Sequence, residues 1–159
     1  VYHAEVTREM ITFTVEGDPV AQPRPRISTA GGFGRAYVPS GHGIHAYKLQ
    51  VQAAARQVFR QPLAGAVEIS VAFELARPPS HWCKRGLSSS APAWPGKPDW
   101  DNLSKAVCDA LNGLAYHDDA QIVRSTVEKC YISGRAVHGR TTVTIREVAT
   151  ERDHAEAQR

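Results

Sequence analysis

The sequence predicts an α+β domain, a single unit in which helices cover a mixed or antiparallel sheet. Three observations carry that prediction. Two runs alternate apolar and polar residues as half-buried strands do and two later runs are expected to be strands, two segments repeat apolar residues at helical spacing, and the elements follow one another without a regular βαβ period. The first run, ITFTVEG at 11–17, is rich in β-branched residues and reads as a strand that stops at Gly17-Asp18-Pro19. The stretch after it, 20–41, carries Arg24, Arg26 and Arg35 among prolines and glycines, and Pro23 and Pro25 keep it from being a helix interior. From about His42 to Arg60, residues Ile44, Tyr47, Leu49, Val51, Ala54, Ala55, Val58 and Phe59 keep one broad apolar face, and Pro62 closes the helix.

Alternation resumes in AVEISVAFEL at 66–75, a second strand. Residues 77–98 contain five prolines, a serine run at 88–90 and the isolated Trp82 and Trp94, and read as a loop or flap. Beyond it, Leu103, Ala106, Val107, Ala110 and Leu111 line one side of a helix from Asp101 to Leu111, which Gly113 terminates. Two further strands are expected at 121–132 and 141–148, separated by the turn-rich SGRAVHG. After Val148 no aliphatic residue is larger than alanine, so the domain is placed at 1–148 and 149–159 is expected to be a polar, disordered tail.

A chain of 159 residues is long enough to bury a core without disulfides or a structural metal. Its three cysteines, Cys83, Cys108 and Cys130, are an odd number without CxxC spacing, which argues against a disulfide framework and against a zinc site. Cys108 reads as a small buried helix residue. The first ten residues have scattered charges and lack the apolar core of a signal peptide, and no apolar run is long enough to cross a bilayer. No membrane association and a cytoplasmic location are therefore expected. A formal charge of +3 admits a polyanionic partner without requiring one.

The chemistry is concentrated in KPDWDNLSKAVCDALNGLAYHDD at 97–119, where Asp99, Asp101 and Asp119 stand near Lys105 in an otherwise basic chain. On a helix starting near Asp101, Lys105 lies one turn on and Asp109 another, all on one face. Asp99 lies in the approach to that helix, and Pro98 biases Lys97 away from helical geometry. Asp118 and Asp119 arrive after a short loop, and return to the start of the helix only if the chain doubles back. Each residue alone has a simpler explanation. Asp101 is an acceptable N-cap, Asp99 an ordinary loop carboxylate, Asp109 an i,i+4 partner of Lys105, and His117-Asp118-Asp119 a polar turn. Together they are harder to explain as caps. Hard cations such as Mg2+ want oxygen ligands, and such an ion offsets carboxylate–phosphate repulsion and activates water in phosphodiester hydrolysis. Lysine beside it suits a nonbridging phosphate oxygen or the leaving group. Arg24, Arg26, Arg35, Lys48, Arg56, Lys84, Arg85 and Lys97 are the candidate contacts for phosphate, each with a solvated surface as the alternative, and Lys97 comes first because it adjoins the acids. Tyr37, Trp82 and Trp94 read as core or loop-anchoring aromatics, with a wedging or stacking role as the alternative.

The pattern KPDWDNLSKAVCDALNG followed by HDDAQIV, with the earlier GDPVAQPRPR and GRAYVP and the later EKCYI, resembles the RusA family of Holliday-junction resolvases, small phage and prophage endonucleases. The likeness covers about 11–148 in the right order. It implies a homodimeric, Mg2+-dependent endodeoxyribonuclease, with Mn2+ substituting, that makes paired symmetric nicks across a four-way DNA junction by attack of metal-activated water. By position, Asp99, Asp101 and Asp119 would bind metal, Lys105 would serve as the catalytic lysine, and Arg24 and Arg26 fall in the family's basic N-terminal loop. The 77–98 segment and the tail depart from the family pattern and leave substrate preference open. A noncatalytic DNA-binding protein of the same fold, or a nuclease preferring flaps and forks, are the alternatives.

Overall fold

The structure is a computed structural model that describes residues 9–28, 31–32 and 34–149, with the side chains of Arg26 and Arg35 outside the description. Its centre is a four-stranded mixed sheet in the order β1-β8-β4-β7, made by β1 (Ile11–Glu16), β4 (Val67–Leu75), β7 (Ile122–Tyr131) and β8 (Arg140–Glu147). Strand β8 runs antiparallel to β1 and to β4, and β4 runs parallel to β7. The parallel pair follows from connectivity: a helix, α2 (Trp100–Leu111), separates the two strands and returns the chain to the end where β4 began.

Alternation decides the layers. Phe13 and Val15 of β1, Val67, Ile69, Val71 and Phe73 of β4, and Thr141, Val143 and Ile145 of β8 are buried on one face. That face is covered by α2 and by α1 (Ile44–Val58), which also pack on each other. The opposite face carries Thr12, Thr14, Thr142 and Thr144, with cross-strand hydroxyl contacts of 2.9 Å between Thr12 and Thr144 and 3.4 Å between Thr14 and Thr142. Thr141, the buried polar residue of the core face, is satisfied by the Tyr47 hydroxyl at 2.7 Å. Burial pushes the Tyr47 phenol up to about 12, so the bond is between neutral groups.

The α+β prediction holds, and its elements lie within a residue or two of where the pattern put them. The apolar face of α2 is buried as expected, Leu103, Ala106, Val107, Ala110 and Leu111 all at 0–1% exposure. On α1, however, Leu49 and Val58 point outward, at 64% and 39% exposed, because only the stripe through Ile44, Tyr47, Val51 and Ala55 meets the sheet. The stretch expected to be irregular contains a small hairpin, β2 (Arg26–Ser28) with β3 (Arg35–Tyr37). The flap at 77–98 holds a 3-10 turn, Pro79–His81, and a two-residue ladder, β5 (Trp82–Cys83) with β6 (Gly86–Leu87). Of the aromatics expected to anchor, Trp82 lies under the Arg135 guanidinium at 4.7 Å, but Tyr37 and Trp94 are 46% and 73% exposed and anchor no core. Val148 and Ala149 are still buried, so the core extends one residue into the expected tail; the remainder, 150–159, lies outside the described residues. Among the described residues no helix is long and apolar enough to cross a membrane.

Candidate active site

The start of α2 is set by Asp99, which takes extended angles (φ −69°, ψ 138°) and whose carbonyl accepts the Leu103 N–H at 3.1 Å. Capping therefore falls to Asp99 by position rather than to Asp101, yet its carboxylate makes no capping bond. It accepts the Lys97 ammonium at 2.6 Å instead. That hydrogen bond above all, with the charges of Lys97, Lys129 and Arg24 adding to it, holds the Asp99 carboxyl below the usual carboxylate range. Asp101, in the first turn, is exposed and makes no hydrogen bond or ion pair with the described residues.

Two long-range contacts deliver the cations. The Gln22 N–H donates to the Asn102 carbonyl at 2.9 Å, which ties the proline-rich segment to the first turn of α2 and brings Arg24 towards Asp99. From β7, the Lys129 ammonium donates to the carbonyls of Pro98 at 2.6 Å and Gly96 at 3.3 Å, pinning the approach to the helix. Arg26 and Arg35 lie on the β2–β3 hairpin. Lys48, one of the expected phosphate contacts, is instead engaged across the helix pair, donating to Asp109 at 3.4 Å.

One turn beyond Asp101, Lys105 donates to Asp109 at 3.1 Å. That bond, and after it the charges of Asp109 and Asp119, raise the Lys105 pKa and keep the ammonium protonated. Asp119 is brought alongside by a 3-10 turn, Asp119–Gln121, that Asp118 caps through the Ala120 N–H at 2.8 Å. Gln121 fastens the turn. Its side-chain oxygen accepts the N–H groups of His117 at 2.7 Å and Asp118 at 3.1 Å, and its amide donates to the carbonyls of Leu63 at 2.9 Å and Gly65 at 2.8 Å. The Asp119 carboxylate itself is exposed and unengaged among the described residues. Asp118 is thus structural, as the polar-turn explanation required.

The charge of Asp119 acts on Lys105, Cys108 and Tyr116, whereas the groups that act on Asp99 are Lys97, Lys129 and Arg24. Among the described residues no three His, Cys, Asp or Glu side chains form a group that could hold a metal ion. The expected convergence of Asp99, Asp101 and Asp119 on one ion is therefore not formed by these side chains alone. Their chemistry nonetheless fits a hard divalent cation. Mg2+ is commonly held by one or two carboxylates with waters and substrate phosphate filling the remaining positions. Asp101 and Asp119 offer unengaged oxygens, and an exposed pair such as Lys97–Asp99, with Lys97 at 82%, is weak enough to open.

A groove of about 520 Å3 lies elsewhere, between Arg77, Pro78 and Trp82 on one side and Arg135 and Val137 on the other, and contains none of these acids. The acidic site is an open surface, suited to a long polymer rather than an enclosed small molecule. Sequence reasoning missed Gln121 and Lys129. Both sit inside quoted motifs, HDDAQIV and EKCYI, but no periodicity or charge rule singles them out.

An α+β fold that carries two acids and a lysine along the exposed side of one helix, with cations gathered at its start, defines a surface for an extended anionic substrate. Residues 16–146 match the family described as Endodeoxyribonuclease RusA, and the chain belongs to that family. The chain is also 34% identical over 147 residues to the uncharacterized protein YqaN of Bacillus subtilis (strain 168), a match covering 89% of this chain and 99% of YqaN. The family is one of endodeoxyribonucleases of branched DNA that generally use metal ions.

Proposed function

We propose that the protein is a Mg2+-dependent, structure-selective endodeoxyribonuclease that resolves four-way DNA junctions by paired symmetric nicks, acting as a homodimer. The observation that carries this reading is the start of α2, where Asp99 stands at the N-cap and Asp101 and Lys105 follow one turn apart on the exposed side of the helix, in a member of an endodeoxyribonuclease family. Asp99, Asp101 and Asp119 would hold the ion, with Mn2+ able to substitute. Bound there, it supplies neutralisation of phosphate charge and activation of water.

The chain's own residues do the rest. Lys105, kept protonated by Asp109, meets a nonbridging oxygen or the leaving oxygen and stabilises charge as it develops. Lys97, exposed and paired among the described residues only with Asp99, would be free to take a backbone phosphate if that carboxylate held the cation. Arg24, Arg26 and Arg35 contact the backbone on the flanking arm. A four-way junction is close to two-fold symmetric, so two copies related by the same symmetry present two sites to opposing strands within one bound lifetime.

The test is Asp101→Asn. This exposed substitution is expected to leave folding and junction binding intact while abolishing cleavage in Mg2+, with EDTA abolishing cleavage by the unaltered protein. A variant that still cuts overturns the reading. Binding without metal-dependent products in the unaltered protein would identify a noncatalytic DNA-binding protein. Comparing junctions, Y-forks and linear duplex at fixed salt separates junction resolution from flap or fork cleavage.

A further inference from the structure

We propose that Trp100 is a base-stacking residue that selects branched DNA, its indole taking the face of a nucleobase unstacked beside the phosphate to be cut. The inference rests on the nuclease reading of the same site and adds a substrate-selecting contact to it. Trp100 is the first residue of α2, between Asp99 and Asp101. At about 3.6 residues per turn its side chain leaves the axis roughly 100° away from that of Asp101, beside the acid rather than across it.

The indole is 60% exposed and, among the described residues, makes no ring, cation–π or hydrogen-bonding contact. The other apolar residues of α2 that face the core are buried at 0–1%. Trp82, by contrast, is covered by Arg135 at 4.7 Å. An α2 that needed only a good helix start would be served by a small or polar residue at this position.

The surroundings choose the occupant. Lys97 lies 2.6 Å from the Asp99 carboxylate and Lys129 2.6 Å from the Pro98 carbonyl, and Arg24 acts on the same carboxylate, so cations stand beside the helix start that carries the ring. A nucleotide satisfies both, with phosphate on the cations and base on the ring. Stacking on an aromatic side chain changes affinity by about 5- to 150-fold per base and tolerates any sequence, because every base has a π-face. Only bases already unpaired or strained offer that face without disrupting the duplex. The centre of a junction has them and a linear duplex does not, so the contact discriminates by branching.

The experiment uses the full chain carrying Asp101→Asn, which prevents cutting, and a four-way junction with 2-aminopurine next to the branch point, against a linear duplex of the same sequence. Adding Trp100→Ala is expected to weaken junction binding about tenfold, to abolish the aminopurine fluorescence change, and to leave duplex binding unaltered. Trp100→Phe restores most of both, and Trp94→Ala, at another exposed indole, alters neither. If Trp100→Ala binds the junction and shifts the probe as its parent does, the proposal is overturned. It is also overturned if the substitution changes only the sedimenting mass, since the ring then contacts a second copy. Failure of the unaltered protein to bind or cut any junction removes the nuclease reading itself; normal cutting by it together with normal behaviour of Trp100→Ala removes only the stacking role.

Discussion

Removing the Gln121 side chain is the perturbation whose consequences are most fully determined. Gln121→Ala deletes four hydrogen bonds at 2.7–3.1 Å, two to the turn that carries Asp119 and two to the loop before β4. A net contribution of about 0.5–1.5 kcal/mol applies to each, towards the low end for the two to His117 and Asp118, where water can replace the lost partner. The loss comes to about 3 kcal/mol, which for a domain of this size lowers Tm by roughly 6–12 °C. Urea unfolding is the cleaner measurement, and a lower midpoint at unchanged m-value is expected. The same turn positions Asp119, so the Mg2+ concentration for half-maximal cleavage should rise several-fold while junction binding in EDTA does not change. Gln121→Glu keeps the two acceptor contacts but sets carboxylate oxygen against the Leu63 and Gly65 carbonyls, and should be at least as damaging. If Gln121→Ala unfolds at the wild-type urea concentration and has the wild-type metal requirement, the clamp described for this turn is wrong.

Gly139→Ala should be strongly destabilising, about 3 kcal/mol by thermal or urea unfolding, because the new Cβ would stand 2.5 Å from the Glu74 carbonyl oxygen and 2.9 Å from Pro19, neither of which can yield easily. Glu68 gives the pH dependence: its hydrogen bond to Arg146, then the charges of Arg146 and Arg124, hold its carboxyl below the ordinary 4.5. A carboxyl depressed on folding contributes its full stability above the unfolded value and loses it as pH falls through the folded one. Glu68→Gln should therefore be less stable than wild type at neutral pH, with the difference shrinking as pH falls below about 4.5 and vanishing only below the depressed folded-state value, as urea midpoints measured across that range would show. Asp109→Asn should raise the Mg2+ requirement of cleavage and lower the Lys105 pKa, read by NMR of the lysine side chains; an unchanged Lys105 pKa would refute the pairing at 3.1 Å.

The sequence disclosed what local geometry controls. Five apolar residues of α2 and the alternation in β4 fix their buried faces within their own segments, and the one-turn spacing of Asp101 and Lys105 follows from the same helix. It could not show what depends on distant backbone. The hydrogen bonds of Gln121 reach 58 and 56 residues back, and those of Lys129 reach 33 and 31, to carbonyl groups that every residue possesses. No residue pattern marks such acceptors. The β2–β3 hairpin was hidden for another reason, since three residues per strand are too few to establish an alternation among prolines and glycines. Leu49 and Val58 misled because an apolar face can be written wider than the surface available to cover it.

The division of charge along α2 explains why Asp101 remains available to a cation. With an acid at 101, a lysine at 105 and another acid at 109, Lys105 has two possible i,i+4 partners. The intrinsic preference in a helix is for the acid on the N-terminal side, which is Asp101. Lys105 nevertheless pairs with Asp109, whose side chain is only 26% exposed and also receives Lys48 from α1. The tertiary contact thus overrides the local preference: packing α1 against α2 brings in Lys48, anchors Asp109, and draws Lys105 away from the helix start. Asp101 is left without an ion pair among the described residues, at the start of the helix where Arg24, Lys97 and Lys129 act on Asp99. If the proposed cation binds there, it would meet this carboxylate while the neighbouring lysine and arginine side chains meet the phosphate, so that each charge finds an opposite one.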